Sequence, residues 1–263
     1  MPKFLIQTIP NEVPSVEVRT VLQHCMLHDF HYERSTIDAL DSIDPMHWVS
    51  YDDVTPVGSV EFVQKFYQLL TLREPLEFDC YPESMHHHLN RDFVEITLKD
   101  AFRLRFTDKF FLKPAKKIKA FTGSVFAPSE PTQEIASLLD SDPCLECYMV
   151  EPVEFLAEYR VYFVEGHMAG ISRYDDRDTE HTMTYEILEQ IAEMGRDCRT
   201  DISTIAGTFA MDVGFIGDKL SLVEVNDFWA IGLYLDKESI LPMNVSSYVL
   251  GLTSRWFEIV NYD

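Results

Sequence analysis

Basic residues are scarce in this chain. Twenty-two lysines and arginines stand against 44 aspartates and glutamates in 263 residues, a formal net charge of −22. Phosphate backbones would be repelled over most of such a surface, which excludes a broad nucleic-acid-binding face and leaves room for a basic protein or a cationic small molecule. Long hydrophobic runs are missing too: none approaches the roughly 20 residues that span a bilayer. The apolar run in the opening Met1-Pro2-Lys3-Phe4-Leu5-Ile6-Gln7 is too short for a signal peptide, so a cytoplasmic location without a membrane partner is expected. The five cysteines are odd in number, which fits a reduced compartment. Cys144-Leu-Glu-Cys147 has the spacing of a zinc or redox pair, but no second pair exists and both read as free thiols. There is no internal repeat, no low-complexity linker and no persuasive Ser/His/Asp or Cys/His arrangement for a nucleophilic enzyme.

Against that acidic background, seven of the 22 basic residues fall within the seventeen positions from Arg103 to Lys119, a stretch that runs on to Phe121-Thr122-Gly123-Ser124. Its opening part reads as a buried strand and its close as a flexible loop of small residues. Point positive charges beside backbone N–H groups that can approach closely are what a polyphosphate requires.

Apolar spacing divides the chain into alternating strands and helices. A strand is expected over Phe4–Ile9, a helix over Val16–His28, a strand over Trp48–Asp52 and a helix over Val60–Leu70, together a small α/β lobe covering residues 1–80. A central lobe, 81–150, follows with strands Phe93–Ile96, Phe110–Lys113 and Glu146–Val150 and a helix over Thr132–Leu139. In the last lobe, 151–263, strands are expected over Tyr159–Glu165, Met168–Tyr174, Phe209–Ile216 and Leu220–Val225, with helices over Thr184–Cys198 and Asn244–Val260. Glu165-Gly166-His167 and Gly217-Asp218-Lys219 read as hairpin turns.

Glu224 and Asn226 are two apart on a strand and leave the same face; Asp212, on the preceding strand of the hairpin, can reach that face. Two carboxylates and an amide oxygen make an oxygen-only site suited to Mg²⁺. Buried among Leu222, Val223 and Val225, such carboxylates want a counter-charge. His86-His87-His88 reads as a solvated loop and the Tyr174–Asp178 segment as a charged turn. Trp229, Gly232 and Tyr234 read as packing residues after the metal strand, with an acceptor pocket as the alternative.

The order Lys113-Pro, a lysine-rich loop ending at Gly123, Glu151-Pro-Val-Glu154-Phe-Leu, Glu158-Tyr-Arg160-Val-Tyr-Phe-Val, Asp212 and Glu224-Val-Asn226 resembles an ATP-grasp domain over residues 105–235. Pro56-Val57-Gly58-Ser59-Val60-Glu61-Phe62 resembles the preceding lobe of phage-associated members. The chain looks most like the clade named for one arginine and two lysines. More distantly, it resembles the eukaryotic cell-division-cycle protein that assembles a translation initiation factor. The phosphate loop departs from the pattern in carrying only Gly123.

The resemblance implies an ATP-grasp fold of α+β lobes behind an N-terminal α/β lobe. Lys113 would meet the α- and β-phosphates of ATP, and Lys117 or Lys119, with the Gly123-Ser124 backbone, the β/γ end. The backbone from Met149 through Val153 to Glu154 would pair with adenine, and Glu151 or Glu154 would bind the ribose. Arg160 would steady the γ-phosphate or the acyl phosphate made from it, and Asp212, Glu224 and Asn226 would hold one or two Mg²⁺. The implied reaction is ATP-dependent joining of a carboxylate to an amine through an acyl phosphate, on a peptide, protein or small molecule, in a host cytoplasm if the chain is phage-encoded. The alternatives are kinase-like or nucleotidyl transfer at the same site, an ATP-binding assembly factor, and a host-partner-binding protein with little or no turnover.

Overall fold

The computed structural model describes residues 3–43, 53–74, 77–103, 109–116, 120–127, 131–177, 182–200, 207–234 and 239–261. The expected strand Trp48–Asp52 and the loop lysines Lys117 and Lys119 lie outside them.

The chain opens with a three-stranded parallel sheet, order β2-β1-β3, formed by β1 (Lys3–Gln7), β2 (His31–Ser35) and β3 (Val54–Val57). Phe4, Leu5 and Ile6 are all buried, as a central parallel strand covered on both faces requires. Helix α1 (Val16–His28) crosses over between β1 and β2, started by the Ser15 hydroxyl accepting from the Val18 N–H and ended by Asp29 in the left-handed region. Helix α2 (Val60–Thr71) is capped in the same way by Ser59, and it buries Phe62, Val63, Phe66 and Tyr67 along one face.

Two antiparallel sheets follow. The four-stranded sheet runs β4-β7-β5-β6, from β4 (Phe93–Thr97), β5 (Phe110–Pro114), β6 (Ser124–Phe126) and β7 (Glu146–Val150), with α3 (Leu98–Arg103) and α4 (Gln133–Ser141) packed on one side. The five-stranded sheet runs β11-β10-β8-β9-β12, from β8 (Glu158–Val164), β9 (His167–Arg173), β10 (Phe209–Ile216), β11 (Lys219–Asp227) and β12 (Ser239–Leu241). One of its faces packs on α5 (Tyr185–Arg199) through Ile191, Met194 and Cys198, in a cluster that also takes Phe78, Tyr81, Met85 and Leu89 and reaches Tyr148 and Val150 of β7. The other face, through Tyr162, Val164 and Ala210, packs on the N-terminal lobe and on α6 (Val245–Val260). Trp256 of α6 meets Phe66 and Tyr67 of α2 at ring-centroid distances of 5.6 and 6.2 Å.

The long strands and helices follow the apolar spacing closely. The strand expected within the lysine-rich stretch, Phe110–Lys113, is β5, and Arg103 at the start of the stretch ends a helix. His86–His88 belong to a 3-10 turn, Glu83–His88, rather than an open loop. Strand β2, with a mostly exposed sequence, and the three-residue strands β6 and β12 carry no apolar alternation to announce them. Among the described residues no helix is long and apolar enough to cross a membrane.

Candidate functional site

Arg160, Asp212 and Glu224 stand side by side in one cross-strand row over β8, β10 and β11. All three face away from α5, Arg160 and Asp212 by regular alternation and Glu224 because of a bulge. The β10–β11 register shifts at Asp212/Val213, pairing Asp212 with Glu224 but Val213 with Leu222, so Val223 is the extra residue. Leu222 and Val225 therefore both reach the core, while Glu224 and Asn226 share the opposite face. The bulge is held from outside. Arg91 donates through Nη1 to the Leu222 carbonyl at 2.6 Å and through Nη2 to the Val223 carbonyl at 3.0 Å and the Tyr81 hydroxyl at 3.1 Å.

Each carboxylate has a cation. Arg160 grips Asp212 with both arms, Nε to Oδ1 at 2.7 Å and Nη2 to Oδ2 at 2.6 Å. Lys113 reaches across from β5 of the other sheet to bond Glu224, and its ammonium lies 4.8 Å from the centroid of the Tyr81 ring. Asn226 Nδ2 bridges the two acids, 3.2 Å from Asp212 Oδ2 and 3.1 Å from Glu224 Oε1. Burial pushes the Asp212 carboxyl above its ordinary value, against the pull of the Arg160 guanidinium. Burial would raise Glu224 as well, but the Lys113 ammonium and the Asn226 amide outweigh it and hold that carboxyl low. Glu224 in turn keeps Lys113 charged despite burial. The group is a closed quartet of two cations and two acids, neutral in sum.

The quartet stands at the edge of a cleft of about 1120 Å³. The cleft is lined by the loop after β1, by the N-termini of α1 and α2, and by Glu17, whose Oε1 accepts from the Leu233 N–H at 2.7 Å. Lys113, Lys116, Gly123, Glu224 and Asn226 line it too. A Cβ on Gly123 would lie 2.8 Å from the Phe111 ring and 3.1 Å from Lys113 Cβ, so glycine is what lets this loop rest against β5. Trp229, Gly232 and Tyr234 line the cleft as well. Tyr234 stacks on Tyr174 at 5.3 Å, and the Arg160 guanidinium lies 5.3 and 5.9 Å from their ring centroids.

The sequence-expected residues thus divide. Lys113, Gly123, Arg160, Glu224 and Asn226 meet at the cleft, with Asp212 buried directly behind. Met149 sits within β7, paired to Leu112 and Val94, and packs on the side of α3 and α4. The Glu151 N–H donates to the Asp92 carbonyl, and Val153 and Glu154 continue the connector to β8; none of these lines the cleft. Of the remaining cluster lysines, Lys116 pairs with Glu146 at 3.2 Å. Tyr81, Cys80, Arg91 and Glu17 had no sequence signal, because each acts through a contact made only in the fold. Burial pushes the Cys80 thiol up to about 11, against the pull of Lys113, which disfavours its thiolate.

For Mg²⁺ the donor chemistry fits, since the two carboxylates are hard oxygen ligands bridged by one amide that carries a third oxygen. Asn226 turns its NH₂ toward the acids, and a half-turn of the amide would present its oxygen instead.

The profile of an ATP-grasp domain, family 2 of the clade named for one arginine and two lysines, matches residues 88–241, more than half of the chain. The chain belongs to that family. The ATP-grasp fold also appears in its likeness to solved structures of low identity. D-cycloserine synthetase DcsG is 12% identical with a TM-score of 0.59, over 98% of this chain and 100% of that one. N5-carboxyaminoimidazole synthetase from Staphylococcus aureus is 10% identical with a TM-score of 0.57, over 96% and 77%. D-alanyl-alanine synthetase A from Vibrio cholerae is 12% identical with a TM-score of 0.50, over 97% and 98%. No curated protein matches the chain. In this ATP-grasp chain the four-stranded sheet contributes Lys113 and the five-stranded sheet contributes Arg160, Asp212, Glu224 and Asn226.

Proposed function

We propose that the chain is an ATP-dependent ligase that joins a carboxylate to an amine through an acyl phosphate, with Mg²⁺ held at Asp212, Glu224 and Asn226. The observation that carries this reading is the pairing of two buried cations with one buried and one half-buried acid at the edge of a large cleft in a member of the ATP-grasp family. Phosphoryl transfer needs positioning and charge neutralisation more than covalent help from protein, and the quartet supplies groups of both signs. A bound Mg²⁺ would neutralise charge on the terminal phosphate oxygens. With the acids engaged there, Lys113 would face the α- and β-phosphates and Arg160 the γ-phosphate. Lys117 or Lys119 and the Gly123 backbone would cover the phosphates from the loop. The part of Met149, Glu151, Val153 and Glu154 in holding base and ribose is testable by loss of ATP affinity in Glu151→Ala and Glu154→Ala.

In the reaction the bond from the γ-phosphorus to its bridging oxygen breaks as one to the substrate carboxylate forms, releasing ADP. The amine then attacks the acyl carbon, loses a proton, and phosphate leaves. The substrate carboxylate would lie in the cleft, where the N-termini of α1 and α2 contribute to the lining and their partial positive charge would favour it.

The deciding experiment incubates cell extract with the protein and Mg-ATP and follows condensation products by mass spectrometry, with Glu224→Ala as control. An ATP-dependent product that vanishes in the control, with ADP and phosphate released in step, is the expected result. Mg-ATP binding without ADP release in any extract would favour the non-turnover reading. No thermal shift with Mg-ATP would sink the site itself.

A further inference from the structure

A second group of ligand-type side chains lies away from the cleft. His87 and His88 end the Glu83–His88 turn and Asp197 lies in the last turn of α5, 109 residues beyond His88, yet their donor atoms all fall within 4.8 Å of one another. His88 Nε2 is 3.1 Å and His87 Nε2 is 3.7 Å from the same oxygen, Asp197 Oδ2, and the two rings have centroids 3.8 Å apart. His86 is not part of the group, because its Nε2 is engaged at 2.8 Å with the Tyr81 carbonyl.

We propose that His87, His88 and Asp197 form a binding site for a zinc-class divalent metal ion. Zinc bonds to imidazole nitrogen and carboxylate oxygen of about 2.0–2.2 Å place neighbouring donors of a tetrahedron about 3.3 Å apart. The observed 3.1 and 3.7 Å to Asp197 lie on either side of that edge, and the remaining donor pair lies within 4.8 Å, so side-chain adjustment closes the site on an ion. Two imidazoles and one carboxylate select zinc-class ions over Mg²⁺ or Ca²⁺, which prefer oxygen throughout. His88 is mostly covered while His87 is 64% exposed, so one side stays open for a water as fourth ligand. The C-terminal end of α5, with its partial negative charge, also favours a cation here.

The position gives the ion a structural task. The turn leads directly into Asn90 and Arg91; Asn90 Nδ2 donates to the Leu220 carbonyl at 3.0 Å, and Arg91 holds the bulge that aims Glu224. A metal bridging the turn to α5 fixes this support from the back of the sheet.

The test is isothermal titration of the whole chain with zinc chloride, without nucleotide, alongside thermal unfolding. One equivalent should bind and raise the Tm. His88→Ala and Asp197→Asn should each weaken binding about tenfold or more and abolish the Tm rise. Cys144→Ser, which removes an exposed thiol able to capture zinc, should change neither. Excess Mg²⁺ should not displace the zinc. The proposal is overturned if no zinc binds, if binding survives both His88→Ala and Asp197→Asn, if it disappears in Cys144→Ser, or if Mg²⁺ displaces it.

Discussion

Each charge in the quartet is tolerable only because of its neighbour. Asp212 and Arg160 are almost wholly buried, and removing one leaves the other desolvated and unpaired. Arg160→Leu should therefore cost about 3–5 kcal/mol of stability in chemical denaturation. The double variant Arg160→Leu/Asp212→Leu should regain most of that loss yet still fail to bind Mg-ATP, separating the fold requirement from the nucleotide requirement. Asp175 gives a residue-level pH dependence. Burial opposes its ionised form, but the Arg173 guanidinium and the N–H groups of Glu158 and Arg177 outweigh this and bring its carboxyl down to about 2. Its folded value lies below its unfolded one, so the stabilisation is fully present above the unfolded value and is lost as pH falls from about 4 through 2, about 2 kcal/mol in all. Asp175→Asn should be destabilised by that amount at pH 7 and converge on the parent protein near pH 2, as read from urea midpoints.

At the scale of elements, the bulge in β11 is the feature on which the site turns. Without the bulge at Val223, a strict two-residue alternation from Leu222 would send Glu224 and Asn226 into the core, opposite Met211 and Phe209. Arg91 holds the two carbonyls of this irregularity. Arg91→Leu should cost about 2–3 kcal/mol through its lost charge-assisted hydrogen bonds, speed hydrogen exchange along β11, and weaken Mg-dependent ATP binding about tenfold, which is about 1.4 kcal/mol. Arg91→Lys, which keeps the charge without the fork, should recover only part of the affinity. A merely structural role would lower the melting temperature and leave nucleotide affinity alone. Gly195 of α5 marks a second close fit: a Cβ there would lie 2.3 Å from the Phe163 ring, so the helix rests on the sheet only because the side chain is absent.

For the whole molecule, the three sheets meet around one cleft, and the closed quartet makes metal and nucleotide depend on each other. Mg²⁺ alone would have to take acids already matched by Lys113 and Arg160; ATP alone would have to take cations already matched by Glu224 and Asp212. Together they exchange partners with the charges still balanced pairwise. Mg²⁺ and ATP in combination, at about a hundred times the dissociation constant, should stabilise the chain by about 2.7 kcal/mol. That is a rise of several degrees in Tm, with either component alone giving little.

Much of this was legible beforehand because it is local. The helices over Val16–His28 and Val60–Leu70, apolar strands such as Phe209–Ile216, the cluster around Lys113 and the Glu224-Val-Asn226 spacing all express rules that operate over a few residues, and they sufficed to place the chain among ATP-grasp proteins. What only the tertiary structure decided is who stands opposite whom. That Lys113 neutralises Glu224 from another sheet, that Arg160 rather than solvent answers Asp212, that Arg91 props the bulge, and that His88 finds Asp197 are contacts between residues 52 to 132 positions apart. Such contacts leave no periodic trace in the sequence. They exist because burying apolar faces brings distant polar groups together, and buried charges then persist only where that packing supplies a partner.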